Sequence, residues 1–263
     1  MRATATPRLD RTMKLADGRT LAYSEWGDLT GRPVVLLHGS PGSRLMCPDE
    51  DATKAAGVRL ITIDRPGYGR SDPRPGRTVL DWVDDYVELA DQLGLPPCPV
   101  VGWSGGGPYA LACADRLADR VSAIGLAGAV GLIGQVPGAR DDYAAKGKAT
   151  FELIHGDRAT AIDAIGRGLE WYEGDAWQTF FTRSWGDADD RLLARPDVLE
   201  AMKAWLREGA RQGSIGWTWD EIAYGSPAGF AGSSIPRATL VSFPGAGHLF
   251  PFDHWGEMLA ALS

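Results

Sequence analysis

Gly102-Trp103-Ser104-Gly105-Gly106 follows a short apolar run, Pro99-Val100-Val101, and opens a small-residue helix, Pro108-Tyr109-Ala110-Leu111-Ala112-Cys113-Ala114. A serine held between glycines at a strand-to-helix switch is the pattern of a nucleophile elbow. The turn is tight enough to strain its central residue, so the residues two before and two after must lack bulky side chains. Both are glycine here, Gly102 and Gly106. The helix beyond the turn offers N-terminal amides to a developing negative charge. The stretch therefore predicts a serine presented as a nucleophile.

The surrounding segments predict an α/β fold. Leu15-Ala16-Asp17-Gly18-Arg19-Thr20-Leu21-Ala22-Tyr23 reads as a hairpin with Asp17-Gly18 at its turn. Val34-Val35-Leu36-Leu37 and Val58-Arg59-Leu60-Ile61-Thr62-Ile63 are apolar runs of the kind that form buried central strands, ending at His38-Gly39 and at Asp64. A helix is expected from about Val79 to Leu93, then the elbow strand and its helix, then a strand at Val121–Ala127. Strands alternating with helices predict a mostly parallel sheet covered on both faces.

From about Ala139 to Tyr224 helical patterning dominates, and six of the ten tryptophans fall there: Trp171, Trp177, Trp185, Trp205, Trp217 and Trp219. This segment, residues 139–224, is expected to be a helical cap inserted between core segments 1–138 and 225–263. Its tryptophans serve burial in one reading and line an apolar pocket beneath the cap in another. Gly225–Pro236 is a Gly/Ser/Pro-rich connection, Arg237–Phe243 the expected last strand, and Asp253–Leu262 the last helix.

Composition narrows the function classes. The chain has 263 residues, 44% hydrophobic and 23% charged, long enough to bury one large α/β core. A net charge of −7 argues against nucleic acid as a partner. The start, Met1 to Arg8, lacks the apolar core of a signal peptide, and no apolar run approaches the ~20 residues of a membrane helix. Cys47, Cys98 and Cys113 show no metal-like spacing and are expected to be reduced core residues. A cytoplasmic protein without cofactor, metal or membrane partner is the expectation.

The chain resembles the α/β-hydrolase superfamily, in its capped esterase, epoxide-hydrolase-like and haloperoxidase-like branch. Four stretches in the family's order carry the resemblance: His38–Ser43, Asp64–Ser71, Gly102–Gly106 and Gly245-Ala246-Gly247-His248. The resemblance implies Ser104 as nucleophile and His248 as general base. It implies an oxyanion hole from the amides of Ser40 and Gly105. His38 is expected to brace the oxyanion loop, while His155 lies in the cap without a motif and His254 opens the last helix. The Asp64–Ser71 motif is expected to shape a turn near the site and to stay out of the chemistry.

The third member of a triad is where the sequence departs from that family. The family order is Ser, then Asp or Glu, then His. Here no acidic residue lies between Glu221 and His248. A strand-acid-helix unit of roughly 30 residues is missing by comparison. The alternative acid position, after the strand preceding a cap, reads Ala127-Gly128-Ala129-Val130-Gly131. Any of Asp141, Asp142, Asp220 and Glu221 could fold back toward the site, but each is expected to be a solvated helix residue, and Asp253 an N-cap. Such a deletion would move the last strand inward by about 4.8 Å, next to Val121–Ala127, and leave an edge through which a homodimer could form. Without the acid a Ser-His dyad would be slow, since that carboxylate is worth on the order of 10⁴ in rate in a serine protease.

Two readings stay open at this point. One is a serine hydrolase acting on a small, fairly apolar ester, thioester or lactone through a dyad or an atypically completed triad. The other is a degenerate relative that binds a small molecule or catalyses a non-hydrolytic rearrangement. Haloalkane dehalogenase and epoxide hydrolase chemistry needs a carboxylate at the elbow, where this chain has Ser104.

Overall fold

The computed structural model describes residues 9–130, 156–170, 176–181, 184–226 and 241–262. Six strands form one sheet: β1 (Leu9–Lys14), β2 (Thr20–Gly27), β3 (Arg32–Leu37), β4 (Val58–Ile63), β5 (Cys98–Trp103) and β6 (Val121–Ala127), in the order β1-β2-β4-β3-β5-β6. β1 pairs antiparallel with β2, and β2 with β4; the β4-β3-β5-β6 pairings are all parallel. The expected hairpin is closed by residues 15–19, with Gly18 at φ +88°.

Helices α1 (Glu50–Ala55), α2 (Asp81–Gln92) and α3 (Gly107–Arg116) belong to the core. α4 (Arg158–Gly168), α5 (Asp187–Leu193), α6 (Pro196–Gly209) and α7 (Ile215–Gly225) fall in the expected cap, and α8 (Pro251–Ala261) ends the described chain.

The central strands are apolar on both faces, and the period of two divides their side chains between two cores. Val34 and Leu36 of β3, Leu60 of β4 and Trp103 of β5 join α8 and α6 through Trp255, Met202 and Trp205. Val35, Leu37, Ile61 and Val100 face the other way, onto Trp82 and Tyr86 of α2 and Tyr109 of α3. All three cysteines are buried and free.

Two expectations are corrected. Residues 241–243 of the expected last strand adopt no strand, and Val241 is exposed. Residues 237–240 lie outside the described residues, and β6 ends the described sheet. The last helix begins at Pro251 and is not capped by Asp253, whose carboxylate instead receives the Arg195 guanidinium at 2.7 Å. Asp141, Asp142, His155 and Trp171 also lie outside the described residues. Among the described residues no helix is long and apolar enough to cross a membrane.

Candidate active site

β5 ends at Trp103, and Ser104 turns the chain into α3 with φ +51°, the only non-glycine residue with positive φ among those described. A β-carbon costs energy in that conformation. The geometry survives because the turn is packed without slack. A Cβ at Gly102 would lie 2.6–2.7 Å from the backbone of Gly106 and Gly107, and one at Gly106 only 2.2 Å from Leu37 O.

The loop after β3 lies against this turn, with a Cβ at Gly39 falling 3.2 Å from Ser104 Cβ. His38 is buried beneath it. Its Nδ1 is 2.6 Å from Gly39 O, and its Nε2 receives the Arg65 amide at 3.3 Å. The ring is therefore the Nδ1-H tautomer. Burial, with Arg65 beside it, holds its pKa well below the ordinary histidine value. Among the described residues, the Ser40 amide makes no backbone hydrogen bond outside a helix or strand, and Gly105 is the middle residue of the single 3-10 turn Ser104–Gly106.

Asp220 of α7 overturns its expected solvated position, being fully buried beside this loop. Its Oδ2 receives Arg65 at 2.6 Å, Tyr68 at 2.8 Å and Ser40 Oγ at 2.5 Å; its Oδ1 receives Tyr109 at 2.6 Å and Arg77. Burial acts to raise the Asp220 pKa, but the two guanidiniums and the hydroxyl donors overcome it and leave the carboxyl well below its usual range. Burial pushes the Tyr224 hydroxyl well above the ordinary tyrosine value, so it is neutral. It donates to Gly105 O at 2.6 Å and lies 2.8 Å from Ser40 Oγ. Its proton goes to Gly105 O, while the Ser40 hydroxyl donates to Asp220.

The motif Asp64–Ser71 does more than shape a turn. Arg65 reaches the carbonyls of His38 and Gly39 and the hydroxyl of Ser40. Arg65 and Arg77 face the single carboxylate of Asp220, so this trio holds one surplus positive charge, with Arg65 against the Ser40 hydroxyl. Asp64, pushed up to about 6 chiefly by burial, accepts the amides of Arg44 and Arg70.

His248 lies at the other end of the elbow. Its ring stacks on Trp103, the neighbour of Ser104, at 5.5 Å between centroids, and Trp205 packs on Trp103 at 5.1 Å. Its Nδ1 would lie 3.1 Å from a Cβ on Gly128, just past β6. Burial lowers its pKa, and the charge of Asp189 acts in the opposite direction. Among the described residues no hydrogen bond links Ser104 Oγ to His248, and no carboxylate bonds the imidazole. His254, by contrast, pairs with Glu257 at 3.1 Å and stacks on Phe243. Glu221 accepts the Trp217 indole N–H on the cap.

Sequence reasoning passed over Asp189 altogether. Its carboxylate on α5 accepts the backbone N–H of His248 at 2.9 Å and of Leu249 at 2.8 Å. The one local sign of so close an approach is Gly247, where a Cβ would fall 2.2 Å from Asp189 Oδ1. No group of His, Cys, Asp or Glu arranged to hold a metal ion occurs among the described residues.

The family model described as "Alpha/beta hydrolase family" matches residues 34–262. A proline iminopeptidase of Xanthomonas citri is 35% identical over 112 residues, 41% of this chain and 36% of the relative. A non-heme chloroperoxidase of Streptomyces lividans is 35% identical over 125 residues, 45% of this chain and 44% of the relative. The chain spans less than half the length of the curated relatives it matches. Among solved structures, a thermophilic esterase of Thermogutta terrifontis shares the fold at TM-score 0.59 and 20% identity, covering 97% of this chain and 96% of the other.

Proposed function

The chain belongs to the alpha/beta hydrolase family, and within it we propose a serine hydrolase that cleaves a small, fairly apolar ester, thioester or lactone. Ser104 Oγ attacks the carbonyl carbon while His248 takes its proton. The carbonyl oxygen becomes an oxyanion facing the amides of Ser40 and Gly105, with the surplus charge of Arg65 and Arg77 behind them. Collapse breaks the bond to the leaving group, which receives the proton from His248, and leaves an acyl-enzyme. Water, deprotonated by His248, then releases the acid and restores Ser104. No cofactor or metal enters these steps.

The observation that carries this reading is the positive φ of Ser104 at the turn into α3, with the Gly39 loop packed against it. The indoles of Trp103 and Trp205 are buried and pack in series against the His248 ring, so the base sits on an apolar support. Esterase, iminopeptidase and haloperoxidase relatives are in keeping with acyl transfer on this framework.

The second reading, a small-molecule binder or catalyst of a non-hydrolytic rearrangement, is favoured by one observation: the imidazole of His248 bonds neither Ser104 nor a carboxylate among the described residues. A fluorophosphonate probe separates the two. Labelling of the wild type that is lost in Ser104→Ala and strongly slowed in His248→Ala supports the hydrolase. An unlabelled, folded wild type supports the binder.

A further inference from the structure

A general base must be held in one orientation, and in a Ser-His-acid triad a carboxylate on Nδ1 does this. His248 is held differently. Its N–H and that of Leu249 are gripped by the two oxygens of Asp189, its carbonyl receives the Trp103 indole N–H at 3.2 Å, and its ring is flat against Trp103. Asp189 is 2% exposed. A buried carboxylate on two adjacent amides fixes both the position and the rotation of a short glycine-rich loop. Gly247 leaves room for that grip and for nothing larger.

We propose that Asp189, a cap residue, replaces the missing triad acid: it positions the His248 loop through the backbone and places its negative charge beside the imidazolium formed during acyl transfer. Asp189 is a positioning residue, and the assignment rests on the Ser104–His248 reading above. It makes the cap part of the catalytic apparatus, so the base is in register only when α5 is docked. Against His248 pack Trp103 from β5, Gly128 after β6 and Asp189 from α5, and only Asp189 among these is charged. Arg191, Arg195, Asp253 and His254 line an adjoining cavity of about 350 Å³ that Gly247 also borders.

The test compares Asp189→Asn with the wild type, using p-nitrophenyl acetate hydrolysis and the NMR titration of His248. Asparagine offers one acceptor oxygen and no charge. The expected result is a fall in kcat of about 10²-fold, the scale of a small misplacement of a reacting group, with KM little changed. The His248 pKa should move down, and the His248 and Leu249 amide resonances should move upfield. Gly247→Ala, which forces the carboxylate off the loop, should reproduce both effects in a chain whose Asp189 is intact. A folded Asp189→Asn with wild-type kcat and an unmoved His248 titration overturns the assignment. If Ser104→Ala hydrolyses the ester as fast as the wild type, the hydrolase reading itself fails. The His248 titration then still decides whether Asp189 acts on the imidazole.

Discussion

Ser40 Oγ lies 2.5 Å from Asp220 Oδ2, so the loop after β3 is bonded to α7. The bond is partly buried, charge-assisted and shared with Arg65. The loop after β3 and α7 therefore meet beside Ser104, so one contact ties distant segments of the chain together.

Replacing Asp220 with asparagine keeps the shape of this contact and removes its charge. Two buried guanidiniums would be left without a counter-ion, which costs roughly 3–5 kcal/mol for a broken buried pair. Urea unfolding should show an extrapolated stability lower by that amount, with the midpoint lowered accordingly. In the wild type the Asp220 pKa is depressed on folding. Its contribution is fully present above the unfolded value, about 4, and is lost as pH falls through the lower folded value. Loss of this contribution should therefore begin only in strongly acidic solution.

Tyr224→Phe removes the hydroxyl that donates to Gly105 O and touches Ser40 Oγ. Leaving a buried carbonyl without its donor costs about 1–3 kcal/mol. A thermal melt should register that loss. Fluorophosphonate labelling should slow, because this hydroxyl holds Ser40 and Gly105, the residues proposed to supply the oxyanion amides.

His38 is neutral in the folded protein because burial holds its pKa well below the ordinary value. The unfolded chain binds a proton at this residue below about pH 6.5 while the folded one does not, so stability must fall as pH drops through that window. The slope is about 1.4 kcal/mol per pH unit for one such group. The melting temperature should drop from pH 7.5 to pH 5.5, and less steeply in His38→Asn.

His248 is also shifted down by burial, partly offset by Asp189. A base must be unprotonated, and a lowered pKa keeps it so in mildly acidic solution. The acid limb of kcat/KM should lie below the ordinary histidine value of about 6.5. Asp189→Asn should move it lower still.

Gly106→Ala places a methyl carbon 2.2 Å from Leu37 O, a backbone atom that cannot swing aside. Overpacking of this kind costs roughly 1–3 kcal/mol. The variant should melt lower and lose labelling together, since the same shift displaces Ser104.

The elbow, the hairpin and the parallel strands were legible because their signals are local. Glycines around Ser104 report a strained turn, and apolar runs ending in small polar residues report buried strands. The last strand was misread at 241–243, where an apolar run alone does not supply a pairing partner. Asp220 was misplaced because an Asp-Glu pair at the end of a helix reads as solvated until Arg65 and Arg77, over 140 residues away, are known to face it. Asp189 carried no motif at all.

By itself, then, the sequence determined where the strained serine turn sits and why glycines flank it, because such a turn can be built only from a contiguous run of small residues. Which carboxylates meet that site was decided by tertiary structure alone. Asp189 and Asp220 reach it from separate helices, α5 and α7, after the chain has returned across the sheet. Contact of that kind depends on packing between distant segments, and no local pattern of residue types encodes it.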